Sequence, residues 1–140
     1  MIKVIAEIGI NHESSVDIAK KLIDSAEISN CWAVKFQYRS FHNFYGSTKE
    51  IGDELIYDQL NMAYLSLKDI AELTLYAKKK KLKVGISFFT IEDFNEITST
   101  KINFDFYKIP SAEFSNSKLV ERAKSTGKLL LLSTGGHTYK

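Results

Sequence analysis

One cysteine, one proline and one tryptophan are all that this 140-residue chain contains of those types, and its apolar residues never gather into a long run. The single thiol, Cys31, excludes an internal disulfide and makes a reducing cytoplasm the natural compartment. Beside Trp32 at the start of an expected strand, Cys31 reads as a buried, inert thiol. No apolar stretch approaches the roughly 18 residues a membrane span needs, and no signal peptide precedes the first strand. Excess charge is also lacking: 19 Lys and Arg against 17 Asp and Glu leave a formal net charge of +2, which argues for neither nucleic acid nor a membrane surface as partner. The lysines at 78–81 and Lys83 close a helix, where cations complement the dipole and water, and read as a solvated helix end. What is present, 44% hydrophobic and 26% charged residues with seven Gly, is a globular composition able to bury a core.

Apolar periodicity alternates between strand and helix along the chain. Strands are expected at 2–8, 32–38, 84–88, 104–109 and 129–133. Helices are expected at 16–28 behind a Ser14 or Ser15 cap, from Ser66 to about Lys81, from Thr90 through Ile97, and from Asn116 or Ser117 until Gly127 stops it. The stretch 39–64, rich in aromatic and polar residues, is too long for an ordinary connection, and 53–60 within it reads as a short helix. Strands alternating with helices imply a parallel sheet with right-handed crossovers. Five such strands are more than half of an eight-stranded barrel, which needs about 250 residues when complete. The expectation is therefore either an open sheet or the N-terminal piece of a barrel.

Chemically capable residues leave the ends of the apolar runs, strand after strand. They do so in Ile5-Ala6-Glu7-Ile8-Gly9-Ile10-Asn11-His12, Ala33-Val34-Lys35-Phe36-Gln37, Tyr107-Lys108-Ile109-Pro110-Ser111-Ala112-Glu113 and Leu132-Ser133-Thr134-Gly135-Gly136. In parallel α/β proteins ligands bind at the carboxyl ends of the strands, so the pattern points to one shared site and to an enzyme. Glu7 needs pairing, hydration or a metal to sit mid-strand, and an ion pair with an interior lysine is the simplest structural reading. Asn11 and His12 beside it tilt the loop toward a functional role. Lys35 and Gln37 share a strand face, and Lys108 occupies the same kind of position two strands on. Two lysines converging inside a sheet repel unless an anion lies between them, which suggests a phosphorylated or carboxylated substrate.

Taken in order, these four motifs resemble the successive motifs of the N-acetylneuraminate synthase family of sialic acid synthases, over nearly the whole chain. The resemblance implies a (β/α)8 TIM barrel of which residues 1–140 are the N-terminal part, about the first five strands, without the family's C-terminal antifreeze-like domain. It implies condensation of phosphoenolpyruvate with an N-acetylated amino sugar aldehyde such as N-acetylmannosamine, giving a nonulosonic acid and phosphate, in a cytoplasmic homodimer that uses Mn2+ or Mg2+. Phosphoenolpyruvate binding would fall on Lys35, Gln37, Lys108, Ser111 and Ser133, with Glu7 by the metal and its water and Glu113 facing the sugar. No metal ligand is expected in this chain: the family's ligand histidines belong to later strands, and neither His42 nor His137 matches their motifs. Pro110 and Ala112 replace glycines that often flank the serine, and Gly135-Gly136 replaces a glycine followed by a larger residue.

Three functional classes follow. The first is a synthase-type enzyme whose phosphoenolpyruvate half-site is carried by this chain. The second is a lysine Schiff-base aldolase on a similar barrel, which needs Lys35 or Lys108 neutral and desolvated. The third is a non-catalytic half-barrel that covers its open edges by self-association.

Overall fold

The structure, a computed structural model, describes residues 2–40 and 62–138. The expected helix at 53–60, His42 and most of the 39–64 excursion lie outside the described residues. Five strands, β1 (Ile5–Gly9), β2 (Ala33–Gln37), β3 (Lys83–Ser87), β4 (Phe106–Ile109) and β5 (Leu129–Leu132), form one parallel sheet in the order β1-β2-β3-β4-β5. Between them run α1 (Val16–Ile28), α2 (Leu67–Lys79), α3 (Ile91–Ser99) and α4 (Ser117–Lys124). None of the described helices is long and apolar enough to cross a membrane.

The order of the strands decides the architecture. A sheet that adds each new strand on the same side never reverses its winding, so right-handed crossovers put every helix on one face. The opposite face is then left for side chains alone, as in the interior of a barrel wall. Alternation along the strands sorts the residues accordingly. Val34, Phe36, Val84, Ile86, Phe88, Tyr107 and Ile109 join the helices in the hydrophobic core. Lys35, Gln37, Gly85, Ser87, Phe106 and Lys108 occupy the alternate positions.

Each helix starts where a short polar side chain can satisfy its first N–H groups. Ser15 Oγ accepts from Ile18 N–H, Thr90 Oγ1 from Asp93 N–H, and Ser66 and Asp69 form a reciprocal capping box. α1 and α2 are then joined at their surface by Lys80, which reaches Glu27 at 2.7 Å and Asp24 at 3.0 Å, and by Tyr76, whose hydroxyl donates to Asp24. An edge-to-face trio of Phe88, Phe94 and Tyr107, with centroids 5.0 to 5.8 Å apart, pins α3 onto β3 and β4.

Differences from the sequence expectations lie at element ends. β1 begins at Ile5, not at Ile2: Ile2 and Val4 are exposed, although the Val4 carbonyl already accepts from Trp32 and Ala33. α2 stops at Lys79, because Lys81 turns into the left-handed region at φ 64°. Cys31 is half-buried where burial was expected.

Candidate active site

A bulge in β1 sets the first part of the site. Glu7 pairs with Lys35 across the β1–β2 ladder, but the next pairing is Gly9 with Phe36, so one residue is skipped. Gly9 adopts φ +47°, and a Cβ on it would sit 3.0 Å from Glu7 Oε1 and 3.2 Å from Gln37 Nε2. The positive φ and the two side-chain ends that close over this position both favour glycine.

Lys35 is the centre of this cluster. Its ammonium donates to Glu7 Oε2 at 2.6 Å and to Ser87 Oγ at 2.7 Å, and its side chain is only 6% exposed against 48% for Glu7. Burial lowers the Lys35 pKa below the ordinary lysine value, the bond to Glu7 opposes that shift, and the nearby charge of Lys108 adds to it. The two lysines thus converge as their spacing suggests, and Glu7 is the carboxylate that compensates the buried one. Gln37 stands beside them over Gly9.

The second part of the site is built where β4 ends. After Pro110 the chain turns through a 3-10 segment, Ser111–Glu113. Glu113 Oε2 accepts from Asn116 Nδ2 at 2.9 Å. Arg39, leaving the end of β2, stacks its guanidinium 4.7 Å over the Phe89 ring and lies close enough to Asp93 and Glu113 for both charges to act on it. The turn after β5 closes on the same place. Ser133 N–H donates to the Ile109 carbonyl at 3.1 Å, Gly135 packs beside the Ser111 hydroxyl, and His137 Nε2 lies 2.9 Å from the Ser111 carbonyl oxygen.

His12 is held by the backbone of its own loop. It is 1% exposed, its Nδ1 accepts from Ser14 N–H at 3.2 Å, and a ring N–H donates to the Gly9 carbonyl. That arrangement holds Glu13 and Ser14 in the left-handed region, at φ 48° and 58°. Burial lowers the His12 pKa below 6.5, and the Gly9 bond opposes this. A depressed folded pKa means that the unfolded chain takes up the proton first as pH falls. The stabilisation by neutral His12 is complete above about pH 6.5 and is lost as pH drops through the lower folded value. Thermal melts at pH 7.5 and 5.5 should show this loss in the wild-type chain, and His12→Gln should flatten it; an equal slope in both overturns the assignment.

Sequence reasoning passed over Ser87, Arg39 and Asn116. Ser87 had a readable signal, because it lies two residues from Gly85 on the inward face of β3, but the run there ends in Phe88 and Phe89 and hides the hydroxyl. Among the described residues no three of His, Cys, Asp and Glu come together in a set that could hold a metal ion. Glu7 is turned to Lys35 instead.

Comparison with known proteins gives a consistent result. The sequence model of the NeuB family matches residues 22–140. The N,N'-diacetyllegionaminic acid synthase of Campylobacter jejuni is 30% identical over 141 residues, a match covering 94% of this chain and 42% of that protein. The N-acetylneuraminate-9-phosphate synthase of Drosophila melanogaster is 30% identical, covering 96% of this chain and 38% of that one. Among solved structures, the N-acetylneuraminic acid synthetase of Leptospira borgpetersenii superposes with a TM-score of 0.85 at 25% identity, over 98% of this chain and 46% of that chain. The chain thus spans less than half the length of these relatives.

Proposed function

The chain belongs to the NeuB family, and from that premise we propose that it forms the first five strands of a synthase barrel and supplies the phosphoenolpyruvate-binding part of the active site. The reaction is condensation of phosphoenolpyruvate with an N-acetylated amino sugar aldehyde, releasing phosphate and a nonulosonic acid. The observation that carries this reading is that Lys35 and Lys108 stand on the helix-free face close enough for their charges to act on each other, with Glu7 bonded to Lys35. Two like charges facing one another favour a small dianionic or trianionic ligand between them.

Lys35 and Lys108 fix the phosphate and carboxylate of phosphoenolpyruvate, with Gln37, Ser111 and Ser133 donating hydrogen bonds. Holding both anions fixes the enol carbon C3 toward the sugar aldehyde, and Glu113 at the rim orients the sugar hydroxyls. Carbon–carbon bond formation leaves positive charge at C2, water adds there, and phosphate departs with its bridging oxygen. The flanking lysines stabilise the phosphate as its charge grows. Mn2+ or Mg2+, the metal that the family resemblance implies, finds no ligand set among the described residues.

The salt bridge to Glu7 supports a protonated Lys35, which is what anion binding needs and what Schiff-base chemistry does not. A phosphate-release assay on a family-length protein carrying this segment, with phosphoenolpyruvate, N-acetylmannosamine and manganese, tests the reading. Phosphate should appear only when both substrates are present, and borohydride with a keto acid should leave the lysines unmodified. Trapped adduct on Lys35 or Lys108 sinks the proposal in favour of an aldolase.

A further inference from the structure

We propose that Asn116 is a positioning residue that holds the Glu113 carboxylate in place, beyond its duty as the cap of α4; the functional part of this inference rests on Glu113 facing the acceptor sugar. Asn116 uses its amide from both ends. Oδ1 accepts from Leu119 N–H at 3.2 Å, which caps the helix, while Nδ2 donates to Glu113 Oε2 at 2.9 Å. The backbone fixes their separation, because Asn116 N–H also donates to the Glu113 carbonyl at 3.0 Å. Both residues are half-buried, so neither is swept freely by water.

The residue type is informative. Serine, aspartate and asparagine cap a helix about equally well. Only asparagine among them caps through an acceptor and still offers a second group, an N–H donor, to a carboxylate. Aspartate would set a like charge against Glu113, and serine is too short to span both partners. Arg39 adds the pull of its charge on Glu113 from the end of β2, and its guanidinium lies over Phe89. Asn116 adds a directed hydrogen bond to the carboxylate.

The two duties separate by mutation. Asn116→Asp and Asn116→Ser both retain a capping acceptor, so the chain should melt within about 3 °C of wild type. In NMR spectra of the chain, the two Glu113 Hγ resonances should be distinct in the wild type and averaged in both variants. In the family-length protein the amino sugar KM should rise about tenfold in Asn116→Asp while the phosphoenolpyruvate KM holds. Combining Glu113→Gln with Asn116→Asp exchanges donor and acceptor, and should restore ordered Hγ signals at residue 113 without restoring the sugar KM. Unaveraged Glu113 signals in both single variants overturn the positioning role. Normal sugar kinetics in Glu113→Gln alone overturn the sugar-facing reading of Glu113, and the NMR result then still decides whether Asn116 orders it.

Discussion

Lys35→Met is expected to weaken phosphoenolpyruvate binding by about 30- to 5,000-fold while leaving the fold close to wild-type stability. The range corresponds to the roughly 2 to 5 kcal/mol typically lost when one partner of a desolvated charge contact is removed. Stability behaves differently because of how the burial is shared. Lys35 is the enclosed partner and Glu7 the half-exposed one, so methionine removes a costly buried cation and leaves a carboxylate that water can reach. Calorimetry with phosphoenolpyruvate and a parallel denaturant melt, on a family-length protein carrying this segment, give both quantities. Undiminished affinity in Lys35→Met would place the anion elsewhere. The pH dependence adds a second mark. The Lys35 pKa lies below the ordinary 10.5, chiefly through burial, so wild-type affinity should fade on the alkaline side earlier than an exposed lysine would dictate.

Gly85→Val is expected to be the most destabilising single change in the sheet. Gly85 is buried on the helix-free face, where a Cβ would fall inside the van der Waals envelope of three Phe106 ring atoms. The ring cannot easily retreat, since Phe106 is fully buried and stacked on Trp32 at 5.6 Å with 20° between planes. Overpacking of a well-packed core typically costs about 1 to 3 kcal/mol and occasionally more, and Gly85 stands at the upper end because a Cβ there meets three atoms of a held ring. A drop of about 3 kcal/mol or more, or about 10 °C in Tm, should follow. Phe106→Leu added to Gly85→Val should recover part of it, because the smaller side chain vacates the clash. Equal stability of Gly85→Val and wild type would mean that Phe106 does not pack across Gly85.

How much of this was readable in the sequence depended on whether the signal was local. α1 matched at both ends because Ser15 caps it and its apolar residues repeat on one face, and Thr90, Ser66 and Asn116 marked the other helix starts for the same reason. The strands carried alternation, which says which face a residue takes but not which neighbour it meets. Lys35 and Lys108 could therefore be placed on one face, and the mid-strand position of Glu7 already suggested an ion pair with an interior lysine, but which lysine it meets is set by the β1–β2 register. Alternation could place Ser87 on the inward face, but its partner followed only from β3 lying beside β2, which puts the hydroxyl on the Lys35 ammonium. His12 is a further case in which sequence neighbours and spatial neighbours differ. Its neighbours in sequence, Glu7 and Asn11, suggested chemistry, while its neighbours in space are the backbone groups of Gly9 and Ser14.

The unreversed strand order also governs how the chain assembles. β3 meets β4 between Gly85 and Phe106, and β4 meets β5 between Phe106 and Leu129, spans of about two dozen residues each. β2 reaches β3 only between Ala33 and Lys83, about twice that distance along the chain, and doubling a loop adds about 0.6 kcal/mol of closure entropy. Docking can therefore proceed in the order of synthesis, each strand using the edge laid down just before it, with the β2–β3 join as the slow closure. That join also carries Lys35 to Ser87, so the buried ammonium gains its hydroxyl partner in the same event that joins the two strands.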